Sequence, residues 1–286
     1  MPRKRRRVSA FFKILAVLTV VCGGLVAGGY YVITSTGPVE LTPPEPASGC
    51  LVMAGGDTDQ LEVAQAANAA TIGGVAFAED LPSHAVVIAY ATVWQESKFR
   101  NLEFGDRDSL GLFQQRPSQE WGEPEELLDP VYASSQFYGE LVTVQDYRDM
   151  PVYEAAQAVQ HSADGFAYDQ HESRARTMVT AFTGQEPAAV SCWYERDETT
   201  RADTATAREE MTRVFGAEPD ALPVSDTRRT GDLGWAMALW AVSHAEEYGL
   251  SSVTYGDQRW TPTPGENGWR TLPHGEGVAE GHLRMG

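Results

Sequence analysis

A glutamate at the end of an apolar helical pattern is the side chain in this sequence best suited to proton transfer. Glu96 follows Ala89 and Val93 at helical spacing, which places its carboxyl on an apolar stripe. Burial there penalises the charged form, so the carboxyl would stay protonated near neutral pH and could donate a proton to a leaving oxygen. The alternative is a helix-terminal glutamate that faces solvent or pairs with Lys98 or Arg100.

Three short motifs surround this glutamate. They read E-S-K-F at Glu96–Phe99, S-L-G-L-F-Q at Ser109–Gln114 and A-A-Q-A-V-Q at Ala155–Gln160. In this order they resemble the motifs E-S-x-F, S-x-x-GLMQ and A-Y-N-A-G of the lysozyme-like soluble lytic transglycosylases, within the superfamily of goose-type lysozymes. The resemblance covers about Leu61 to Gly184.

Lys supplies only three of the 22 cations, a skew typical of high-GC genomes such as those of actinobacteria.

The resemblance implies an enzyme that cleaves peptidoglycan glycan strands between MurNAc and GlcNAc. Glu96 would protonate the leaving oxygen and then act as a base on the 6-hydroxyl of the same MurNAc, which leaves a 1,6-anhydro end. Ser109 and Gln114 would hydrogen-bond the substrate, and Phe113 would support the cleft wall. The family chemistry requires neither a cofactor nor a metal.

A glycan cleft also needs planar groups for sugar faces and amides for hydroxyls. Trp121, Tyr138, Gln115 and Gln160 are the candidates for these contacts.

The third motif departs from the family pattern. Val159 and Gln160 stand where the family usually has Tyr and Asn, so an aromatic hydroxyl beside the acid would have to come from elsewhere. Tyr153 and Tyr168 are the candidates.

A second carboxylate would be needed only if water, rather than the 6-hydroxyl, attacks the sugar. Asp106 and Asp108 are the nearest candidates for that base. Animal lysozymes carry their second carboxylate two residues before the equivalent of Gly111, where this chain has Ser109, so a single-carboxylate mechanism fits better. The D-x-D-x-x-G pattern at Asp106 lacks the remaining ligands of a calcium loop, and the six His residues show no metal-ligand spacing.

The N-terminus predicts a membrane anchor. A basic cluster at residues 2–7 precedes an apolar run, Ile14–Ile33, which as a helix would span about 30 Å. The positive-inside rule places the N-terminus in the cytoplasm and the later domains outside. We therefore expect a single-pass protein of the cell membrane.

Two of the three cysteines lie beyond this run, where oxidation is permitted. Cys50 and Cys192 bracket a compact segment and predict a disulfide. The alternative, a catalytic thiol, needs a positioned His and a low thiol pKa.

Helical periodicity dominates the exterior part. The predicted helices are Thr58–Ile72, Ser83–Ser97, Pro130–Leu141, Pro151–Ser162, Ala167–Phe182, Thr206–Phe215 and Gly234–Tyr248. The predicted fold is mainly α: a lysozyme-like helical domain with a small β and turn segment along the cleft, a small C-terminal α/β unit and one N-terminal transmembrane helix. The predicted boundaries are 1–13 (basic tail), 14–34 (transmembrane anchor), 35–49 (Pro-rich stalk), 50–192 (lysozyme-like domain), 193–230 (linker) and 231–286 (α/β unit).

Charge limits the partners of this chain. From Ser35 onward, 16 cations face 40 anions, a net charge of −24. Such an acidic body disfavours nucleic acid as a partner. The resemblance implies peptidoglycan glycan strands as a partner, and the predicted anchor implies a membrane. The competing function is a catalytically weak protein that binds peptidoglycan as a scaffold. A C-terminal zinc peptidase is disfavoured because Arg284 replaces one His of its H-x-H ending.

Overall fold

The structure is a computed structural model, which describes residues 12–25, 47–161, 165–195, 201–219, 222, 228–279 and 281–286. The chain divides into two units, Met1–Pro44 and Glu45–Gly286. In the first unit, helix α1 covers residues 12–25, and its apolar side chains are exposed.

The prediction of a transmembrane helix over residues 14–34 is not supported. Helix α1 has 14 described residues, which extend about 21 Å, whereas the hydrocarbon core of a bilayer is about 30 Å thick. No helix within the described ranges is both long and apolar enough to cross a membrane. The rest of that predicted span, like residues 1–11 and most of the predicted stalk, lies outside the described residues.

The second unit alternates helices with two small sheets. Its α-helices are α2 (Val63–Ala78), α3 (Ser83–Glu96), α4 (Pro124–Leu127), α5 (Pro130–Leu141), α6 (Val152–Gln160), α7 (Glu172–Phe182), α8 (Thr204–Phe215), α9 (Leu233–Ser243) and α10 (Ala245–Tyr248). Its 3-10 helices are η1 (Pro117–Gln119) and η2 (Gly165–His171). Its strands are β1 (Gly49–Ala54), β2 (Asp57–Leu61), β3 (Val190–Trp193), β4 (Val253–Tyr255), β5 (Gln258–Trp260), β6 (Trp269–Thr271) and β7 (Leu283–Met285).

The predicted mainly α class is wrong, because helices supply only about half of the described residues and two antiparallel sheets accompany them. The first sheet has the order β2-β1-β3 and the second β6-β5-β4-β7. The first sheet includes residues that periodicity assigned to a helix, since Asp57–Leu61 pairs with β1 instead of starting α2. Strands β5, β6 and β7 of the second sheet were not predicted; each has only three residues, too few for an alternating pattern to be recognised.

The core forms around helix α3, which is buried on nearly every face. Its residues from Ala85 to Trp94 are apolar or, at Thr92, hydrogen-bonded to the preceding turn. A helix that is apolar all round is a core helix. Helices α2, α6 and α7 pack against it, and α9 packs against α2. Residues 231–286 therefore share one compact unit with the preceding helices.

The predicted disulfide is confirmed. Cys50 and Cys192 are paired across β1 and β3 and are bonded. Both cysteines are buried, and the link ties the first sheet together across 142 residues of chain.

Candidate active site

Glu96 is the last residue of α3, and its carboxyl is half-buried. The Tyr168 hydroxyl, on η2, donates a hydrogen bond to Glu96 Oε1 at 2.8 Å. The Tyr168 ring is itself buried. Tyr168, nine positions after Val159, thus places an aromatic hydroxyl beside the acid where the third motif lacks one.

The surroundings of Glu96 favour its protonated form. Burial raises the pKa of the Glu96 carboxyl above its ordinary value, and this outweighs hydrogen bonds from Tyr168 and Gln160, which act in the opposite direction. Among the described residues Glu96 forms no ion pair with Lys98 or Arg100, and Arg100 bonds Glu62 at 2.6 Å instead. These surroundings therefore act in the direction that a general acid requires.

The segment after α3 turns back to form one wall beside Glu96. Lys98 and Phe99 adopt left-handed backbone conformations that reverse the chain. The Ser97 hydroxyl then donates to the Leu112 carbonyl at 2.7 Å. This bond ties the first motif to the second, so that the two motifs are held side by side.

A glycine holds the turn of the second motif. Gly111 has φ +75°, and a Cβ there would clash with the Leu127 carbonyl oxygen. Its N–H donates to the Leu102 carbonyl at 2.8 Å. Only glycine adopts this positive φ and allows so close an approach of the Leu127 carbonyl without strain. A Cβ on Gly105 would overlap the end of the Gln114 side chain.

Glu96 opens into a cleft of about 600 Å³. Sequence-predicted site residues supply about half of its lining. The lining is Glu96, Asp106, Ser109, Gln114, Gln115, Arg116, Gln119, Glu120, Trp121, Gln136, Glu140, Gln160 and His161. The fold thus brings together Glu96 and six of the other proposed residues: Asp106, Ser109, Gln114, Gln115, Trp121 and Gln160.

Two predicted residues lie behind the cleft rather than in its lining. Phe113 is fully buried and stacks on Phe137 with ring centroids 4.5 Å apart, so it supports the wall from within. Tyr138 is also fully buried, and its hydroxyl donates to the Ile72 carbonyl at 3.1 Å. Tyr138 therefore does not present its ring to the cleft.

The two candidate bases differ in their surroundings. Asp108 accepts from the Ser118 N–H and the Arg116 Nε, both at 2.8 Å, and does not line the cleft. Hydrogen bonds from Ser118 and Arg116 hold the pKa of Asp108 well below its usual range. Asp106 does line the cleft, but its side chain is 94 % exposed. Asp108 therefore orders the loop, and Asp106 alone of the pair faces the cleft.

Backbone carbonyls hold several amides of the lining, among them those of Gln160 and Gln115. Gln160 Nε2 donates to the Phe113 carbonyl at 2.7 Å, which places the Gln160 amide beside Glu96. Gln115 Nε2 donates to the Ala133 carbonyl at 3.1 Å. Gln160 therefore helps to position the acid as well as lining the cleft.

Sequence reasoning missed two carboxylates of the cleft, Glu120 and Glu140. Glu120 follows η1, and Glu140 lies on α5. The signal for Glu140 was its spacing of four from Gln136, which puts both on one face of a predicted helix. Nothing in the local sequence marks Glu120, because only the fold brings it to the cleft.

No group of three His, Cys, Asp or Glu side chains in the described part of the chain could hold a metal ion. The chain matches no family model and no curated protein. The lysozyme-like resemblance therefore rests on the sequence motifs alone.

Proposed function

We propose that this protein cleaves peptidoglycan glycan strands between MurNAc and GlcNAc, with Glu96 as its catalytic acid. The observation that carries the proposal is a glutamate at the end of a buried helix, in an open cleft, with a raised pKa and a tyrosine hydroxyl bonded to its carboxyl. This combination gives proton donation, access for a polymer and a fixed carboxyl orientation.

The first step is protonation of the glycosidic oxygen by Glu96. The Tyr168 hydroxyl occupies Oε1, which leaves Oε2 to carry the proton toward the substrate. When the proton leaves, the carboxyl becomes charged, and the bonds from Tyr168 and Gln160 strengthen. These bonds therefore favour the charge that develops during bond breaking.

The second step uses the same carboxylate as a base. Glu96 removes the proton of the MurNAc 6-hydroxyl, whose oxygen attacks the anomeric carbon and closes a 1,6-anhydro ring. Arg116 and Ser118 donate hydrogen bonds to both carboxylate oxygens of Asp108, so Asp108 is not placed to act as the base of a hydrolase. This favours the single-carboxylate route over hydrolysis. A hydrolytic route would have to use the exposed carboxylates of the cleft, Asp106, Glu120 or Glu140.

The disulfide bears on where this activity takes place. Cys50 and Cys192 are bonded in the compact unit, and such bonds persist in oxidising compartments. We therefore place the site outside the cytoplasm, where peptidoglycan lies.

The test is release of soluble fragments from dye-labelled peptidoglycan by the full chain. We expect Glu96→Gln to abolish release while Glu276→Gln, a matched change at an exposed residue of the C-terminal sheet region, retains it. Release that survives Glu96→Gln would contradict the role of Glu96. Binding to peptidoglycan with no release by the unmutated protein would instead support the scaffold function.

A further inference from the structure

The cleft carries negative charge beyond its catalytic acid. Asp106, Glu120 and Glu140 all line it, and all three side chains are exposed to solvent. Among the described residues, Glu120 and Glu140 form no ion pair, and Asp106 has only a loose contact of 3.9 Å with Arg107. These carboxylates come from three separate segments, so they surround the cleft instead of forming one local run.

The cations of the cleft do not offset this charge. Arg116 is the only Lys or Arg among the lining residues in the described part of the chain. Its Nε bonds Asp108 at 2.8 Å and a second guanidinium nitrogen bonds the Ser118 hydroxyl at 3.1 Å. Since Asp108 already neutralises Arg116, a ligand meets the charges of the three free carboxylates.

A buried amide adds a second, independent feature. Gln115 lines the cleft, is only 2 % exposed, and has no donor for its Oε1 within the described residues. Its Nε2 is held by the Ala133 carbonyl, so the amide cannot turn without losing that bond. Gln115 therefore leaves a buried acceptor without a donor at the wall of the cleft, and buried acceptors require donors.

We propose that this cleft selects glycan strands that carry primary ammonium groups. An ammonium has three donors and a positive charge, and it matches a wall of carboxylate and amide oxygens. An anionic strand would meet repulsion from the same wall. The proposal rests on the glycan-cleaving function for its biological setting, but it concerns binding and can be tested without cleavage.

Two sources on a peptidoglycan strand could supply the ammonium. One is a hexosamine that has lost its acetyl group, and the other is a free side-chain amine of the stem peptide. The chemistry that the cleft recognises is the same for both sources.

The test measures binding to the full-length Glu96→Gln protein, which cannot consume its ligand. Calorimetry at about pH 6, where an amine with a pKa near 8 is protonated, compares a glucosamine hexamer with an N-acetylglucosamine hexamer. We expect the glucosamine hexamer to bind about tenfold more tightly at low ionic strength. About 0.5 M salt should remove most of this preference, because exposed charges are screened.

The preference for the glucosamine hexamer must also depend on the carboxylates that line the cleft. With Glu120→Gln and Glu140→Gln added, the preference should fall severalfold, whereas adding Glu276→Gln as the control should leave it unchanged. Equal affinity for the two hexamers, or an equal effect of the control, would overturn the proposal. If the unmutated protein shows no cleavage of peptidoglycan, only the proposed function is refuted, because the binding comparison does not depend on cleavage.

Two further ligands identify the source of the ammonium. The first is a peptide-free strand with free amino sugars, and the second is a fully N-acetylated strand whose stem peptides keep free amines. Tighter binding of either strand than of a peptide-free, fully N-acetylated strand supports the proposal and assigns the source. Failure of both strands would overturn it.

Discussion

Burial and hydrogen bonding act on Glu96 in opposite directions. Burial raises the pKa of the carboxyl, and the bond from the Tyr168 hydroxyl lowers it. We predict that Tyr168→Phe moves the basic limb of the kcat/KM pH profile to higher pH, because the acid then stays protonated further up the pH scale. The rate should also fall about tenfold, as expected for loss of one hydrogen bond to a developing charge.

Tyr153→Phe provides the matched control for this pH profile. Tyr153 also bonds a carboxylate, but its partner is Glu154 at 2.9 Å and not Glu96. The control profile should keep its basic limb in place. A limb that moves to lower pH in Tyr168→Phe, or that moves equally in both variants, would contradict the role given to Tyr168.

His244 is a buried titratable residue far from this chemistry. Its Nδ1 donates to the Trp240 carbonyl at 2.9 Å, because a carbonyl can only accept. Its Nε2 therefore accepts from the Thr71 hydroxyl at 3.3 Å, and the Trp240 indole N–H donates to the same hydroxyl oxygen at 3.2 Å. The neutral ring satisfies this network, and burial lowers the pKa of His244 to about 4.

This pKa predicts a loss of stability in mild acid. Between about pH 6.5 and pH 4 the unfolded chain binds a proton at His244 that the folded protein does not, so folding becomes less favourable as the pH falls. The full effect amounts to about 3 kcal/mol. Urea unfolding at both ends of this range should show a smaller loss for His244→Gln than for the unmutated protein. Equal losses of stability in the two proteins would contradict the lowered pKa of His244.

At the scale of elements, the turn at Gly111 joins the two motifs of the cleft. We predict that Gly111→Ala destabilises the protein by more than about 1 kcal/mol and reduces activity, because the residue has φ +75° and its Cβ would meet the Leu127 carbonyl. Gly139→Ala is the matched change, since Gly139 lies within α5 with open space around it.

The matched variant should gain about 0.5–1 kcal/mol, because alanine favours a helix over glycine. Thermal unfolding measures both changes. If Gly111→Ala were as stable as the unmutated protein, the tight turn at Gly111 would not be required.

Helices with clear boundary signals were predicted well. The predicted helix over Pro130–Leu141 coincides with α5, because an Asp-Pro pair marks its start and Asp129 caps the Val131 N–H. The predicted helix ending at Ile72 was too short, because Gly73 and Gly74 resemble a helix end. In the structure both glycines lie inside α2, where a Cβ on Gly74 would collide with Val214.

The candidate site shows the same division between local and tertiary information. Glu96, Ser109 and Gln114 were found because short motifs mark them, and all three line the cleft. Tyr138 was wrongly assigned to the cleft, because its spacing does not reveal which face of α5 packs on α2. The contact of Tyr168 with Glu96 depends on how η2 packs against α3, which the sequence alone does not specify.

For the whole molecule, the Cys50–Cys192 bond closes a loop of 142 residues. Replacing both cysteines by alanine should lower the free energy of unfolding by up to about 5 kcal/mol, since the unfolded chain regains its loop entropy. Chemical denaturation of oxidised, reduced and doubly substituted protein measures this loss. The reduced and substituted proteins should agree, and unchanged stability in both would contradict a structural role for the bond.

Charge acts on the whole molecule as well. The strong acidity of the chain beyond Ser35 extends into the cleft, through Asp106, Glu120 and Glu140. An acidic protein that works on an anionic wall polymer is slowed by long-range repulsion. Ammonium groups on the strand would remove this repulsion where the strand enters the cleft.

Mass spectrometry of the fragments released from purified peptidoglycan by the full chain and by Glu96→Gln tests catalysis by Glu96 directly. We expect fragments that end in 1,6-anhydro-MurNAc from the unmutated protein and none of them from the variant. Reducing ends that vanish in the variant would keep Glu96 as the acid but assign a hydrolase. Absence of any fragment from folded, disulfide-bonded protein, or equal release by the variant, would contradict glycan cleavage by Glu96.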